Sequence, residues 1–397
     1  MILPSSARSF LGGLAWLFAA ASAVRADVTV GPYVQNTSPT GATVMWFTEH
    51  AVPGAVRYGL KPGEWLGTVK GPAATAHAIA LTGLQPATKY FYEPLDGDRP
   101  LAGGADLYFQ THPKVGSQTP IRFLAAGDLN WGRGGLPWVE LAARTRERVD
   151  FGFLLGDLTD GGSHKKYLHE VFPTYGGLMR NLCLWACPGD NDFNAKPEDQ
   201  GYATFFQFPA NDLPKAAGVF SFDYANAHFM SLGDGFAHGL TKSDGIAWAR
   251  RDLAEARQRG QKWMIVMNHR PEHGGKDRVL GAELVGLLEA GGVDLMLSGH
   301  THFYKRTHLV RGGKIVQQND ASDYTKTEDG AGTVYIIAGT AGSAYDRPPK
   351  NEPLTAYYLG AKNGLVLVEI EGDTLKGQFL EVDGSSHDVF HIRKSKP

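Results

Sequence analysis

The chain has 397 residues, 43% hydrophobic and 20% charged, an ordinary globular composition with length enough for two domains. Its 39 basic and 41 acidic residues leave a formal net charge of −2, so there is no signature of nucleic-acid or membrane-surface binding. Fifty glycines and 22 prolines point to many turns.

Residues 1–26 read as a secretory signal peptide. Arg8 gives a positive start, residues 10–21 an apolar core, and Val24-Arg25-Ala26 or Ala21-Ser22-Ala23 a small-residue cleavage site. The core is too short to span a bilayer. The expected mature chain starts near Asp27, keeps no membrane anchor and is secreted or periplasmic. Residues 27–111 carry short β-type runs at 43–48, 55–58, 76–81, 88–92 and 107–109, separated by turn residues. That spacing predicts an all-β sandwich, and nothing in it suggests chemistry. A linker follows at 112–120, rich in Pro, Gly, Ser and Lys.

The remaining residues, 121–397, are expected to form the catalytic domain. Apolar runs at 121–126, 151–155, 182–187, 263–267 and 293–297 read as strands covered on both faces. Helices are predicted around 138–147, 164–179, 246–256 (capped by Ser243) and 279–290, and a hairpin turns at Asn226. Cys183 and Cys187 are the only cysteines and fall in one strand. At that spacing they lie about 13 Å apart. A disulfide needs Cα atoms within about 7 Å, so they read as buried apolar residues.

Each apolar run leads to a residue able to bind metal: Asp128, Asp157, Asp190, His269, and the pair His300 and His302. In sheets of this kind ligands gather beyond the carboxyl ends of the strands. Carboxylates mixed with imidazoles suit a pair of first-row metals rather than calcium.

The stretch Ser298-Gly-His-Thr-His-Phe-Tyr-Lys-Arg306 resembles the Gly-His-x-His-x-Tyr-x-Arg motif of the purple acid phosphatase branch of the calcineurin-like metallophosphoesterases. Leu81-Thr-Gly-Leu-Gln-Pro-Ala-Thr-Lys-Tyr90 resembles the fibronectin type III pattern around its buried tyrosine. The resemblance covers nearly all of the expected mature chain. It implies an N-terminal fibronectin III-like β-sandwich followed by an α/β, four-layer αββα metallophosphoesterase sandwich. It also implies two divalent or mixed-valence metal ions (Fe, Zn, Mn or similar) and a phosphorylated small-molecule substrate. The implied reaction is hydrolysis of phosphate monoesters by a metal-bound hydroxide. A phosphodiesterase or nucleotide hydrolase is the nearest rival, and a non-catalytic metal- or phosphate-binding relative is the alternative of another class.

By position, the resemblance makes Asp157 the bridging ligand, Asp128 and His302 ligands of the first metal, and Asp190, His269 and His300 ligands of the second. Asp157, Asp190, Asn191 and Arg270 form the expected catalytic set. Arg133, Arg270, Arg306 and His273 are the candidate substrate contacts. Three departures stand out. Asp160 occupies the place of the branch's metal-binding tyrosine, so iron-loaded protein is expected to lack the purple band. Asn130 stands where the first motif carries histidine or glycine, and either gives an amide oxygen to the first metal or fixes the turn. Asp190-Asn191 replaces the usual Asn-His, so the histidine expected near the leaving group is missing. His273, His164 and His238 are the candidates to replace it, while His228 reads as structural.

Overall fold

The computed structural model describes residues 27–129, 135–145, 149–213, 218–234, 241–274, 278–318, 322–327, 330–342, 344–345, 347–348 and 352–395. The expected signal peptide, Asn130, Arg133 and His238 lie outside them. An N-terminal unit carries β1 (Val28–Ser38), β2 (Gly41–Gly59), β3 (Gly67–Thr82), β4 (Lys89–Asp96), β5 (Arg99–Pro100) and β6 (Tyr108–Gln110). The runs predicted separately at 43–48 and 55–58 are one long strand, β2. It absorbs the Pro53-Gly54 break through register shifts against β3 between Phe47 and Ala55. Trp46, Val56, Tyr90, Tyr92 and Phe109 fill the unit's own core. The Tyr90 hydroxyl accepts the backbone N–H of Gln85 (3.0 Å), which ties down the turn before β4.

In chain order there follow β7 (Ile121–Ala126), α1 (Gly135–Thr145), β8 (Phe151–Leu155), α2 (His164–Lys166), α3 (Phe172–Met179), β9 (Leu184–Cys187) and α4 (Tyr202–Phe205). Next come β10 (Phe220–Tyr224), β11 (Ala227–Ser231), α5 (Lys242–Gln258), β12 (Trp263–Met267), α6 (Gly281–Ala290) and β13 (Leu295–Ser298). The last strands are β14 (Tyr304–Thr307), β15 (Leu309–Arg311), β16 (Lys314–Gln317), β17 (Asp323–Lys326), β18 (Val334–Ala338), β19 (Thr355–Leu359), β20 (Gly364–Glu371), β21 (Thr374–Glu381) and β22 (Ser386–Lys394). One seven-stranded sheet has the order β17-β22-β21-β20-β7-β8-β9 and the other β10-β11-β12-β13-β18-β14-β19.

The two sheets face each other across an aromatic-rich core that includes Phe123, Phe151, Phe153, Trp185, Phe222 and Phe229. The helices cover the outer faces. Residues of α1 and α3 pack on the first sheet together with Tyr33, Met45 and Phe47 of the N-terminal unit. Those of α5 and α6 pack on the second. This is the expected αββα sandwich behind a β-rich unit.

Two local readings change. Thr241, not Ser243, caps α5, its side chain accepting the backbone N–H of Asp244. The helix expected over 164–179 contains a π turn at Tyr167–Val171, just before Pro173. Proline cannot give its N–H to the preceding turn, and the wider turn absorbs that break. Cys183 and Cys187 are both buried and unpaired.

β7, β8 and β9 run parallel, as do β11, β12, β13 and β18. Their carboxyl ends therefore open on one side of the sandwich, where the loops carrying Asp128, Asp157, Asp190, His269 and His300 emerge.

Candidate metal centre

Asp157, Asp190, His269 and His300 offer ligand atoms that all lie within 4.8 Å of one another. Asp190 Oδ1 is 3.1 Å from His269 Nε2 and 3.1 Å from His300 Nδ1, and Asp157 Oδ1 is 3.3 Å from His269 Nε2. Beside this group His302 Nε2 stands 3.2 Å from Asp128 Oδ1. Asp128, Asp157 and His300 all hold left-handed backbone, with φ of 60°, 52° and 65°. Such values are uncommon for residues other than glycine, and here they turn each side chain sharply off its strand.

The backbone around these residues leaves little room. A Cβ on Gly189 would lie 2.3 Å from Asp157 Oδ1, and one on Gly299 would lie 2.6 Å from Asp128 Oδ2. Glycine is therefore required at the two points where the chain crosses the carboxylates. Asp128 Oδ2 accepts the backbone N–H of His300 (2.7 Å), which joins the ends of β7 and β13.

The donor set fits metal ions. His269 Nδ1 lies 2.7 Å from the Leu155 carbonyl, which can only accept. The proton is thus fixed on Nδ1, and Nε2 faces the carboxylates, the orientation a carbonyl partner gives a metal-binding imidazole. Asp128 Oδ1 is buried with no well-aligned hydrogen bond, the His302 imidazole standing 3.2 Å away, a setting that a cation would complete. Burial disfavours charged His269, but Asp157 and Asp190 outweigh it and drive its pKa well above the ordinary value. Burial alone would raise the Asp190 carboxyl, yet His269 and His300 hold it well below the usual range. Both shifts mark a site that calls for positive charge. Asp157, Asp190, His269 and His300 could hold an ion, with Asp128 and His302 alongside.

Other candidates are placed differently. Asn191 clamps Asp157: its backbone N–H reaches Oδ1 (3.0 Å) and its side-chain Nδ2 reaches Oδ2 (2.8 Å), while its own Oδ1 accepts from Asn194. Arg270 gives Nε to Asp234 (3.1 Å) and brings Nη2 to 3.7 Å from Asp190 Oδ2. Arg306, expected to touch substrate, is 1% exposed between the sheets, where Nε and Nη2 donate to Asp388 at 2.8 and 2.7 Å. Its partner set is internal, which corrects that expectation. His273 is also turned away from the cleft. It is buried edge-on against Tyr335 of the outer core, and burial with the nearby Arg278 and Lys305 lowers its pKa to about 4. His164 packs on Phe205. Asp160 pairs with Lys166 (2.6 Å), and Tyr304 is buried with its hydroxyl on Asp388.

Two residues escaped the sequence reading. Asp192 is fully buried and accepts from the backbone N–H groups of Leu158 and Gly189 and from the Tyr167 hydroxyl. It splices the loop after β9 to the loop after β8, and burial beside Asp157 raises its carboxyl to about 7. Its signal was the second acid of Asp190-Asn-Asp192. Asp234 is the other, and its Gly-Asp-Gly setting reads simply as a turn.

Residues 121–304 match the family model described as Calcineurin-like phosphoesterase. Purple acid phosphatase 18 of Arabidopsis thaliana is 26% identical over 330 residues, covering 76% of this chain and 68% of its own length. Across the first three plant relatives the match spans 53% to 68% of their lengths. Among solved structures, a purple acid phosphatase from yellow lupin (Lupinus luteus) seeds superposes with a TM-score of 0.78 at 17% identity, covering 92% of this chain and 74% of that one. The structure of PhoD superposes with a TM-score of 0.69 at 12% identity, covering 92% and 90%. Residues 121–304, which carry the strand-end cluster of aspartates and histidines, are thus similar to the calcineurin-like phosphoesterases, and most of the chain is similar to the purple acid phosphatases.

Proposed function

We propose that the protein is an exported phosphatase that releases phosphate from small phosphate monoesters with two metal ions held at the strand-end cluster. The observation that carries this reading is the packing of Asp157, Asp190, His269 and His300 ligand atoms within 4.8 Å, with the Asp128–His302 pair alongside. When bound, such ions (Fe, Zn, Mn or similar) supply charge to the phosphoryl oxygens and make water a nucleophile near neutral pH. The chain's own residues orient that chemistry. Asn191 fixes the Asp157 carboxylate through both oxygens, and Arg270 stands ready for non-bridging phosphate oxygens. An amide has no proton to give, so Asn191 is not a general acid, and among the described residues neither His273, buried against Tyr335, nor His164, packed on Phe205, replaces it. Esters with good leaving groups, such as aryl phosphates, are therefore the favoured substrates.

The N-terminal unit is read as fibronectin III-like, supported by its sheet and by the hydrogen bond of Tyr90 to Gln85, the pattern of a tyrosine corner. Export rests on the leader at 1–26. Among the described residues no helix is long and apolar enough to cross a membrane. The test is turnover of aryl and alkyl monoesters and of diesters by metal-loaded protein, with elemental analysis of the same samples. Aryl monoesters should turn over fastest, a chelator should abolish activity, and His302→Ala should lose one metal selectively. Faster diester turnover, or one metal per wild-type chain, overturns the proposal.

A further inference from the structure

Asp234 lies three residues beyond the end of β11, its side chain fully buried, where a carboxylate without a cation would be strongly destabilising. Arg270 supplies that cation through Nε, 3.1 Å from Asp234 Oδ1, although the two residues are 36 positions apart. Arg270 itself follows His269, so its backbone is fixed by a candidate ligand, and the Asn268 side chain donates to its carbonyl. The far edge of the guanidinium stands 3.7 Å from Asp190 Oδ2, beyond hydrogen-bond distance. Asp190 Oδ1 is already shared by His269 and His300.

This arrangement is unlike a simple ion pair. Arginine and carboxylate, left alone, close into a two-bond fork. Here an anchor on Nε holds the guanidinium off Asp190 and keeps its planar edge beside the cleft. We propose that Asp234 is a positioning residue that aims Arg270, so that the guanidinium receives the non-bridging oxygens of a phosphate dianion. The inference rests on the phosphatase reading above and adds the residue that sets its charge selectivity. A monoester dianion brings two charges and three non-bridging oxygens to that edge. A diester brings one charge and two such oxygens, so it gains less from a fixed guanidinium.

The test uses the metal-loaded full chain, with metal content checked throughout, and reads binding of inorganic phosphate by calorimetry beside KM and kcat for an aryl monoester and a diester. Arg270→Ala should weaken phosphate binding and raise the monoester KM on the order of tenfold or more, the scale of one lost charge-assisted hydrogen bond. The diester KM should move much less. Asp234→Asn should shift phosphate binding and monoester KM in the same direction at unchanged metal content. The double variant should be no worse than Arg270→Ala, because the two act as one unit. Arg270→Lys keeps the charge but has no Nε for Asp234, so it should lose most of the phosphate binding even if Asp234→Asn folds poorly. Unchanged phosphate binding in Arg270→Lys, or additive losses in the double variant, overturns the inference. Wild type that binds phosphate through Arg270 but hydrolyses no ester would sink the phosphatase reading alone.

Discussion

Arg306 shows how a charge can belong to the fold rather than to the chemistry. Alternate residues of a strand share a face, so Tyr304 and Arg306 of β14 both point between the sheets. There Asp388 of β22 accepts from both, and Tyr324 and Ser322 take further guanidinium protons. Removing one partner of a buried pair strands the other. Arg306→Ala should therefore cost about 3–5 kcal/mol in chemical denaturation, with turnover per folded molecule unchanged. A loss of turnover at unaltered stability would return Arg306 to the substrate. The motif's spacing was visible in the sequence, but its buried partner lies 82 residues away and leaves no local sign. Asp128, Asp157, Asp190, His269 and His300 were legible for the opposite reason: each follows an apolar run, and strand ends in a parallel sheet share an edge. Asp234 was not, since its meaning depends on Arg270 arriving from another strand.

At the scale of elements, the β10–β11 hairpin is fastened to α5 by His228. Its Nδ1 lies 2.8 Å from Asp223 and its Nε2 2.9 Å from Asp252. Arg259 pairs with Asp223, and Ser221 donates to Asp252. Burial lowers the imidazole's pKa, but the two carboxylates outweigh it and leave it raised above 6.5. A raised histidine gives stability that is fully present below its unfolded pKa and lost as pH rises through its folded one. His228→Gln should thus lose more stability against wild type near pH 6 than near pH 9 in urea titrations. An equal loss at both would show that packing, not charge, holds the hairpin. The hairpin itself was readable from alternating β-type runs around Asn226. The π turn was not, because helical periodicity does not say how a helix accommodates Pro173.

Across the whole molecule, His112 joins the N-terminal unit to the αββα sandwich. Its Nε2 meets the Thr37 hydroxyl at 2.9 Å, its Nδ1 the Asp223 carbonyl at 3.2 Å, and Phe151, Trp185, Phe222 and Tyr224 surround its ring. Sequence placed it at the start of a polar linker, since a single histidine beside proline carries no hint of an aromatic socket. Burial lowers its pKa from 6.5 to about 4. The unfolded chain then takes up a proton before the folded one does, so stability falls as pH drops from 6.5 toward 4, by about 3 kcal/mol in all. His112→Gln should flatten that part of the stability–pH curve. An unchanged slope would place the acid sensitivity elsewhere.

The left-handed backbone of Asp128, Asp157 and His300 bears on how such a protein changes over generations. Each costs the folded state roughly 1 kcal/mol, and the two carboxylates add mutual repulsion in a buried place. Asp157→Gly would relieve backbone and charge together. A lineage kept for its shape but released from hydrolysis would therefore drift first at these positions. A chain that still carries all three is holding its chemistry against the preference of its own fold.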